Sequence, residues 1–424
     1  VYDGSALNLI KEEYGPGEKW QTAGHGNRHD CRINTIEDGC LWLFGGGTRE
    51  FPLLLERNIY PSFELLVETV EDEDGHMVYN FTNKRGNLIL TRCIADNDTL
   101  DTYRVYDDYG NLCFILPPAA ADNLSAFLLS GELPGGEACQ AMLDQYAYQY
   151  RYDYRNRCTG KKLPGCDWMK MVYDNADRLL FIQDGEQRKK DEWSFQFSDQ
   201  LGRSVLSGIY HGALDGRICN SQYVYAEFSP ETPSAKFGYI VPDSAGFAID
   251  SLDVLKADYY DTYDYKDGLV GFDNSLNYVA DDEYGKQYVS SVQGLRHCKD
   301  LLTGSMTRAL ENGSECYSCF YYDYHRYLIQ SRRVGMDRKV IVNKSSFNFS
   351  GQPVASCEEY DGVFRLGKRY TYDHAGRLTR EMHVLGNDTT AFVYSFDEIG
   401  RLRGLSRIHG TDSLTTTNEY NIRN

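Results

Sequence analysis

Long apolar runs, prolines and basic residues are all scarce in this 424-residue chain. No apolar stretch approaches the roughly 18 residues of a membrane-spanning helix, which excludes such a helix from the sequence. Lys and Arg (44) are outnumbered by Asp and Glu (62), so the net charge is −18. This argues against a nucleic-acid partner, because phosphate binding needs clustered cations. Only 11 prolines beside 34 tyrosines favour β-strands.

A short motif recurs along the chain: an aromatic residue, Asp or Asn, two variable residues, Gly, and then Arg or Asn. Where the spacing is most regular, at Asp323, Asn348, Asp373 and Asp397, the steps between copies are 25, 25 and 24 residues. Some copies replace the Gly by Asn or Asp, the other residues that best tolerate a positive φ. A further copy begins at residues 421–424. So regular a period is typical of a repeat architecture.

Each repeat is predicted to be a β-hairpin. Asp or Asn at the first turn position and Gly at the fourth are typical of a type I turn, in which the Asp side chain accepts a hydrogen bond from its own backbone two residues on. Alternating residues flank the turn, as in half-buried strands. The predicted turn residues are Tyr106, Asp107, Gly110, Tyr152, Asp153, Tyr173, Asp174, Asp199, Gly202, Tyr322, Asp323, Asn348, Gly351, Tyr372, Asp373, Gly376, Phe396, Asp397 and Gly400.

The repeats divide the chain into four predicted regions. Residues 1–80 form an irregular β region, 81–210 are hairpins with a helical insertion near 122–148, 211–320 are degenerate repeats, and 321–424 are regular repeats. Helical spacing is found at Leu124–Leu133 and Gly136–Tyr148. The chain begins at Val1 and stops inside a repeat, so we expect it to be a segment of a longer protein.

The motif resembles the YD repeat of bacterial Rhs proteins and, more distantly, of metazoan teneurins. Other segments are similar to an Rhs subgroup: EEYGPGEKW (12–20), VYDDYGNLCFILPP (105–118), YQYRYDYRNRCTGKKLPGCDWMKMVYDNADRL (148–179), YYDTYDY (259–265) and GLRHCKDLLTG (294–304). The resemblance covers nearly the whole chain. It implies an all-β fold in which hairpins build a spiral, hollow, shell-like antiparallel sheet.

The same resemblance implies a function. Rhs shells of polymorphic toxin systems enclose a variable C-terminal toxin and release it by self-cleavage at paired DPxG motifs. No such motif occurs in this sequence, so the resemblance assigns neither the cleavage nor a toxin to these residues. The expected partners are the protein's own C-terminal cargo domain or other segments of the same shell, and the expected location is outside the bacterial cell or on its surface.

Candidate catalytic and metal sites are weak. His25, His29 and Asp30 have ligand residues near one another, but glycines beside His25 argue against the helix that would bring the two histidines together. Cys316 and Cys319 have CxxC spacing without a second pair, in a strand-like sequence. The chain has no nucleophile elbow, zinc-protease or EF-hand signature. The sequence therefore predicts no catalytic residue, no metal site and no cofactor.

Carboxylates and cysteines have simpler explanations. The acidic runs 71–74 and 281–283 are predicted to be solvated turns, and the run 258–264 contains carboxylates that sequence alone cannot pair. Twelve scattered cysteines in a long chain are interpreted mainly as reduced, packed thiols, with disulfides as the alternative.

The rows of tyrosines allow a second function. Exposed aromatic rows can stack on sugars, although tyrosines beside turns also set strand register. The sequence favours a non-enzymatic shell segment that encloses or presents cargo in competition between cells. The alternative is a surface adhesin or glycan-binding module, and a weaker alternative is a carbohydrate-active enzyme.

Overall fold

The computed structural model describes residues 1–2, 10–14, 26–95, 98–129, 136–242, 246–268, 272–288, 298–311 and 313–420. Twenty-four strands belong to a large antiparallel sheet, and two short sheets take four more. The predicted all-β hairpin fold with short helical insertions is confirmed. The chain divides into two compact units, one formed by Val1–Val172 with Ile182–Asp191 and one by Tyr173–Phe181 with Glu192–Glu419. The four-region division made from the sequence stays a prediction.

The first unit is a meander of neighbouring strands. Its strands are β1 (Glu12–Tyr14), β2 (Gly26–Ile33), β3 (Leu41–Gly47), β4 (Pro52–Ile59), β5 (Leu65–Glu71), β6 (Met77–Asn83), β7 (Leu88–Ala95), β8 (Asp98–Tyr106), β9 (Leu112–Leu116), β10 (Tyr148–Tyr152), β11 (Cys158–Lys162) and β12 (Met169–Tyr173). Each pairs antiparallel with the next, except that β2 pairs with β5 and the hairpin β3–β4 forms a separate sheet. The unit boundary falls within β12 and β13 (Leu179–Gln183).

Segments inserted between neighbouring strands build the core of the first unit. The helices Pro118–Leu129 and Glu137–Tyr146 follow β9, and the hairpin β3–β4 follows β2. These segments supply Leu43, Leu54, Leu124 and Leu143 to a core of fully buried residues that also contains sheet residues such as Phe114. The predicted helices are therefore present with shifted bounds, and residues 130–133 of the first prediction lie outside the described part of the chain.

The second unit repeats this plan. Its strands are β14 (Glu192–Ser198), β15 (Ser204–His211), β16 (Glu227–Phe228), β17 (Tyr239–Ile240), β18 (Leu252–Tyr260), β19 (Leu302–Arg308), β20 (Glu315–Tyr322), β21 (Leu328–Val334), β22 (Val340–Phe347), β23 (Pro353–Tyr360), β24 (Phe364–Tyr372), β25 (Leu378–Leu385), β26 (Asp388–Phe396), β27 (Leu402–His409) and β28 (Asp412–Thr417). From β18 to β28 every strand pairs antiparallel with the next, and β15 pairs with β18.

Residues 211–320 are predicted to be degenerate repeats, and that assignment stays a prediction. Their described residues contain long segments between β15 and β18 and between β18 and β19, including the short helices Gly216–Ser221 and Tyr265–Gly268. These segments lack the alternation and turn signals of the hairpins, and their aromatic residues pack on the sheet instead of extending it. The remaining helical pieces are the helix Gly185–Lys189 in the first unit and the 3-10 turns Ile36–Asp38, Ile249–Ser251 and Asn274–Leu276. No described helix is long and apolar enough to cross a membrane.

A register shift accompanies the hairpin turns. Tyr106 pairs with Leu112, but Val105 pairs with Phe114, so Cys113 is an extra residue on its strand. Such a β-bulge can put consecutive residues on one face, and both Cys113 and Phe114 are buried. The bulge explains why the residues after a turn read as a continuous apolar run rather than as strict alternation.

Candidate functional site

The turn at Asp107 has the geometry common to the repeats. The carbonyl oxygen of Asp107 accepts a hydrogen bond from the N–H of Gly110 (3.1 Å), and the Asp107 N–H donates to the carbonyl of Asn111 (3.0 Å). Its Oδ1 accepts from the N–H groups of Tyr109 (2.9 Å) and Asn111 (2.8 Å). Gly110 has φ +86°, in the left-handed region where a side chain is strained. Four hydrogen bonds from one residue thus fix the reversal of the chain.

The same turn occurs ten times in the described residues. In each, the side-chain Oδ1 of the first residue accepts from the backbone N–H four positions later at 2.7–3.0 Å, and the fourth residue has φ between +62° and +90°. The first residues are Asp72, Asn83, Asp107, Asp153, Asp174, Asp199, Asp323, Asn348, Asp373 and Asp397.

The fifth residue of the turn closes a clamp when it is arginine. The Nε–H groups of Arg157, Arg178, Arg203, Arg377 and Arg401 each donate to the Oδ2 atom of the first residue of their own turn, at 2.7–2.9 Å. At Asp373 the pKa is lowered by the backbone N–H of Arg377 and then by its side chain, whereas at Asp397 the Arg401 side chain is the main cause of a lowered pKa. The arginine of the motif therefore satisfies the carboxylate oxygen that the backbone leaves free.

The motif tyrosine joins one hairpin to the preceding one. The hydroxyl groups of Tyr152, Tyr322 and Tyr372 donate to the backbone carbonyls of Leu112, Leu302 and Pro353 at 2.7–2.9 Å. Tyr106 makes the same contact with Leu88 at 3.3 Å. Burial raises the pKa of Tyr322 to about 12, which keeps the hydroxyl protonated as a donor.

Neighbouring turns are also in contact. The Gln352 side chain donates to the carbonyl of Gly376 (2.7 Å), and Arg85 donates to the carbonyl of Asp108 (3.2 Å). Where the aromatic residue is Phe396, the guanidinium of Arg377 from the preceding turn lies over its ring, 4.8 Å from the centroid. In each unit, contacts between turns therefore hold successive hairpins to one another at the ends of their strands.

Two turns depart from the motif, and the sequence predicted the one at Asp323 but missed the one at Asp72. Asp72 lies in the run Glu71–Asp74, which was predicted to be only a solvated turn, and no aromatic residue precedes it. Its signal is Gly75 three positions later, with φ +86°. In the turn at Asp323 the fourth residue is Arg326, at φ +68°. At Asp72 the spacing of Asp and Gly marks the turn without an aromatic residue, whereas at Asp323 the preceding Tyr322 and the Asp mark it without Gly.

One face of the second unit's sheet, here called the insert face, is covered by the segments between strands. Direct pairing places Phe197, Leu206, Ala257 and Met306 on this face, and all four are buried. Phe247 from the first inserted segment stacks on Phe197 with 5.3 Å between ring centroids. The insert face is therefore the core of this unit.

Tyrosines continue the cover beside Phe247. Tyr239 and Tyr265, from the two inserted segments, both stack on Tyr259 of β18. The distances between ring centroids are 5.8 Å for Tyr239 and 4.3 Å for Tyr265. The Tyr265 ring occupies the space that a Cβ on Gly304 would need, since that atom would lie within 2.8 Å of it. Gly304 is therefore required for close packing rather than for a turn.

Residues 272–288, here called the strap, cross the insert face next. The Gln330 amide makes two hydrogen bonds with the backbone of Val279, at 2.9 and 3.1 Å. Tyr284 is buried against Ala355 and Cys357.

Ion pairs hold the strap as well. Lys344, which is 9% exposed, donates to Asp281 at 2.9 Å. Arg369 donates to Glu283 at 2.6 Å, and Arg365 lies 3.7 Å from the same carboxylate. The strap thus binds the insert face through ion pairs between its carboxylates and the sheet's cations, and through an aromatic ring that packs on small side chains.

A cavity of about 500 Å³ lies beside the turn at Asp199. Its lining includes Tyr260 and Asp261 from the acidic run 258–264, which the fold brings next to Arg203. Arg203 donates to both Asp199 and Asp261 at 2.7–3.0 Å, and these hydrogen bonds raise its pKa, that to Asp261 first. Two of the four carboxylates that line the cavity, Asp199 and Asp261, are therefore engaged in ion pairs with Arg203.

Within the described part of the chain, no three His, Cys, Asp or Glu side chains are grouped to hold a metal ion. His25 lies outside the described residues, while His29 and Asp30 lie on β2. All twelve cysteines are free thiols, and seven of them are buried. Burial raises the pKa of Cys40 and Cys113 to about 12, so neither thiol is a good nucleophile near neutral pH.

No protein-family model and no curated protein matches the chain. Among solved structures it is similar to a chain of the Tc holotoxin pore of Photorhabdus luminescens, with 14% identity and a TM-score of 0.44, over 100% of this chain and 19% of that one. It is also similar to a chain in the crystal structure of TcdB2-TccC3-TEV, with 13% identity and a TM-score of 0.42, over 94% of this chain and 21% of that one. The chain therefore spans about a fifth of the length of these two chains.

Proposed function

We propose that this chain is a non-enzymatic structural segment of an Rhs-like YD-repeat shell, which encloses or presents a C-terminal, toxin-like cargo. The observation that supports it most is the linked series of turns. The turns satisfy the side-chain oxygen of their own Asp or Asn, and several also bond to the neighbouring hairpin, as Gln352 does to Gly376. Such turns extend a sheet hairpin by hairpin, and an extended sheet can form a wall. In this proposal the motif residues are structural, and the protein acts outside the cell or on its surface.

The test is limited proteolysis of the polypeptide as its organism makes it, with the fragments mapped by mass spectrometry. Enclosure predicts that a cargo region beyond the repeats resists trypsin at concentrations that digest the same region when it is expressed alone. A Gly376→Val, Gly400→Val double variant should expose that region, because both turns need a positive φ. Equal digestion of the enclosed and isolated cargo would contradict the proposal.

The adhesin alternative has its own outcome. Tyr109, Tyr154 and Tyr324 lie at turn positions and are 63–71% exposed, so they could stack on sugars. Binding of the wild-type chain to a glycan array, lost when these three tyrosines are changed to Ser, would favour that function. A membrane anchor upstream, without a variable domain downstream, would do the same. A variable domain after a cleavage motif, beside an immunity gene, would favour enclosure.

A further inference from the structure

In the part of the chain that the structure describes, the cover on the insert face ends before the sheet does. Cys319, Val342 and Cys357 on this face are 0%, 6% and 3% exposed, under the strap and its neighbours. On β25–β27 the same face carries Met382 and Val393, both half-buried, and Ile408, which is 38% exposed. This part of the insert face, formed by β25–β27, is here called the bare patch.

Strand pairing shows that the bare patch continues the face that the strap covers. Glu359 of β23 pairs with Arg365 of β24. On the same side of β24, Gly367 pairs with Val384. Ala391 then pairs with both Met382 and Ile408. Because directly paired residues share a face, the patch is the next stretch of the same surface.

The charge on this surface is unusual for the chain. Across β24–β28 the insert face carries Arg365, Arg369 and Arg380 and no carboxylate, although the whole chain has a net charge of −18. Glu283 of the strap binds two of these arginines. Arg380 is exposed and has no hydrogen-bond or ion-pair partner among the described residues. The patch therefore combines an unpaired cation with half-buried apolar side chains.

We propose that the bare patch binds an extended acidic polypeptide segment that carries an aromatic residue beside its carboxylates. The strap binds the adjoining part of the face with the same kinds of group. Its carboxylates pair with Lys344 and Arg369, and its Tyr284 packs on Ala355. The patch offers the same elements, with Arg380 as the cation and Ala391 as the small residue between larger neighbours. If the chain is part of a shell, the segment would come from its cargo, and to that extent the inference rests on the proposed function.

The probe is a fluorescein-labelled peptide with the sequence of the strap, YVADDEYG, the residues 278–285. Its binding to the whole chain is measured by fluorescence anisotropy in low salt, where contacts between exposed charges are strongest. We expect saturable binding that weakens about tenfold when Arg380 is changed to Gln, the scale of losing a docked charge pair. The neutral peptide YVANNQYG should bind at least about tenfold more weakly for the same reason.

Arg407→Gln is the matched control, because Arg407 is an exposed cation on the opposite face of the same hairpins. It should leave peptide affinity within about twofold of wild type, whereas an equal loss in both variants would mean unspecific attraction and overturn the proposal. A benzophenone in place of the second tyrosine of the peptide should cross-link to β25–β27. Cross-links confined to β20–β23, which would mean exchange with the strap, or no saturable binding at all, would also overturn it. None of these outcomes depends on enclosure, which the proteolysis experiment tests separately.

Discussion

Two regions of the second unit are built from the same hairpin and differ only in what lies on them. On β14–β20 the insert face is closed by Phe247, Tyr239 and Tyr265. On β25–β27 the same face has no covering segment among the described residues, and Ile408 is 38% exposed. The comparison indicates that the repeats specify the sheet and its row of turns, while the inserted segments complete the core.

The turns are alike in both regions, so the contribution of the turns can be separated from that of burial. Arg203 beside the covered strands and Arg401 beside the bare ones close the same clamp, at 2.7 and 2.8 Å. Turn chemistry is local, so it needs no second layer. Burial needs a second layer, because a single sheet cannot remove both faces from water.

The largest expected effect contrasts the two regions directly. Phe197 is fully buried among Phe181, Phe195 and Phe247, so Phe197→Ala should destabilise the second unit by about 3–5 kcal/mol. Val393→Ala in the bare patch should cost about 1 kcal/mol or less, because Val393 loses little contact. Denaturant unfolding followed by hydrogen exchange of β14 and β26 amides measures both. Equal costs would mean that the bare patch is packed against something in solution.

Loosening the strap should expose the part of the insert face that it covers, including Cys357. Gln330 is 3% exposed, and Gln330→Ala leaves the N–H and carbonyl of Val279 without their partner, which should cost about 2–3 kcal/mol locally. The readout is the rate at which Cys357, buried under the strap, reacts with 4,4′-dithiodipyridine, relative to exposed Cys166. Asn343→Ala, at an exposed position on the neighbouring strand, should leave that rate unchanged. No acceleration in Gln330→Ala would contradict the role given to the strap.

The turns should matter in the bare region even without a core. Gly400→Val should destabilise the hairpin β26–β27 by about 1–3 kcal/mol, because a β-branched residue resists φ +90°. Gly367→Ala on β24 is the control, since its new Cβ would meet nothing closer than 3.9 Å and the position needs no positive φ. Amide exchange in β26 and β27 distinguishes them. If both variants behaved alike, the sheet would not depend on its turns.

The difference between local turn contacts and long-range contacts of the covering segments explains what the sequence could predict. The hairpins were predicted because Asp, Gly and Arg act within five residues of one another, as in Asp373 with Arg377. The cover was not predicted, because its contacts join distant residues: Val279 with Gln330, 51 positions apart, and Glu283 with Arg369, 86 apart. Nothing in the local sequence pattern of the strap, residues 272–288, indicates which strands it will cross. The cavity at Asp199 needs the same long-range information, since Asp261 reaches Arg203 across 58 residues.

The smallest expected effect is the pH dependence of the cover, which the bare region should lack. A hydrogen bond from Lys344 is the main cause that lowers the pKa of Asp281 below its usual value near 4. A lowered carboxyl pKa contributes stability that is present above about pH 4 and is lost as the pH falls through the folded-state pKa. Lys344 also pairs with Glu359, and Arg365 pairs with Glu283, so protonation of Asp281 removes one of several ion pairs and should loosen the strap at acid pH by about 0.5–1 kcal/mol.

Cys357 modification measured from pH 3.5 to 7 tests this dependence. In the wild type the rate relative to Cys166 should rise below about pH 4, and Asp281→Asn should remove most of that rise because the titrating group is gone. Asp282→Asn is the control, since the Asp282 side chain is 91% exposed and its ion pair among the described residues is with the exposed Lys286. A rise that persists in Asp281→Asn would place the acid sensitivity elsewhere, in the turn carboxylates that the covered and bare regions share.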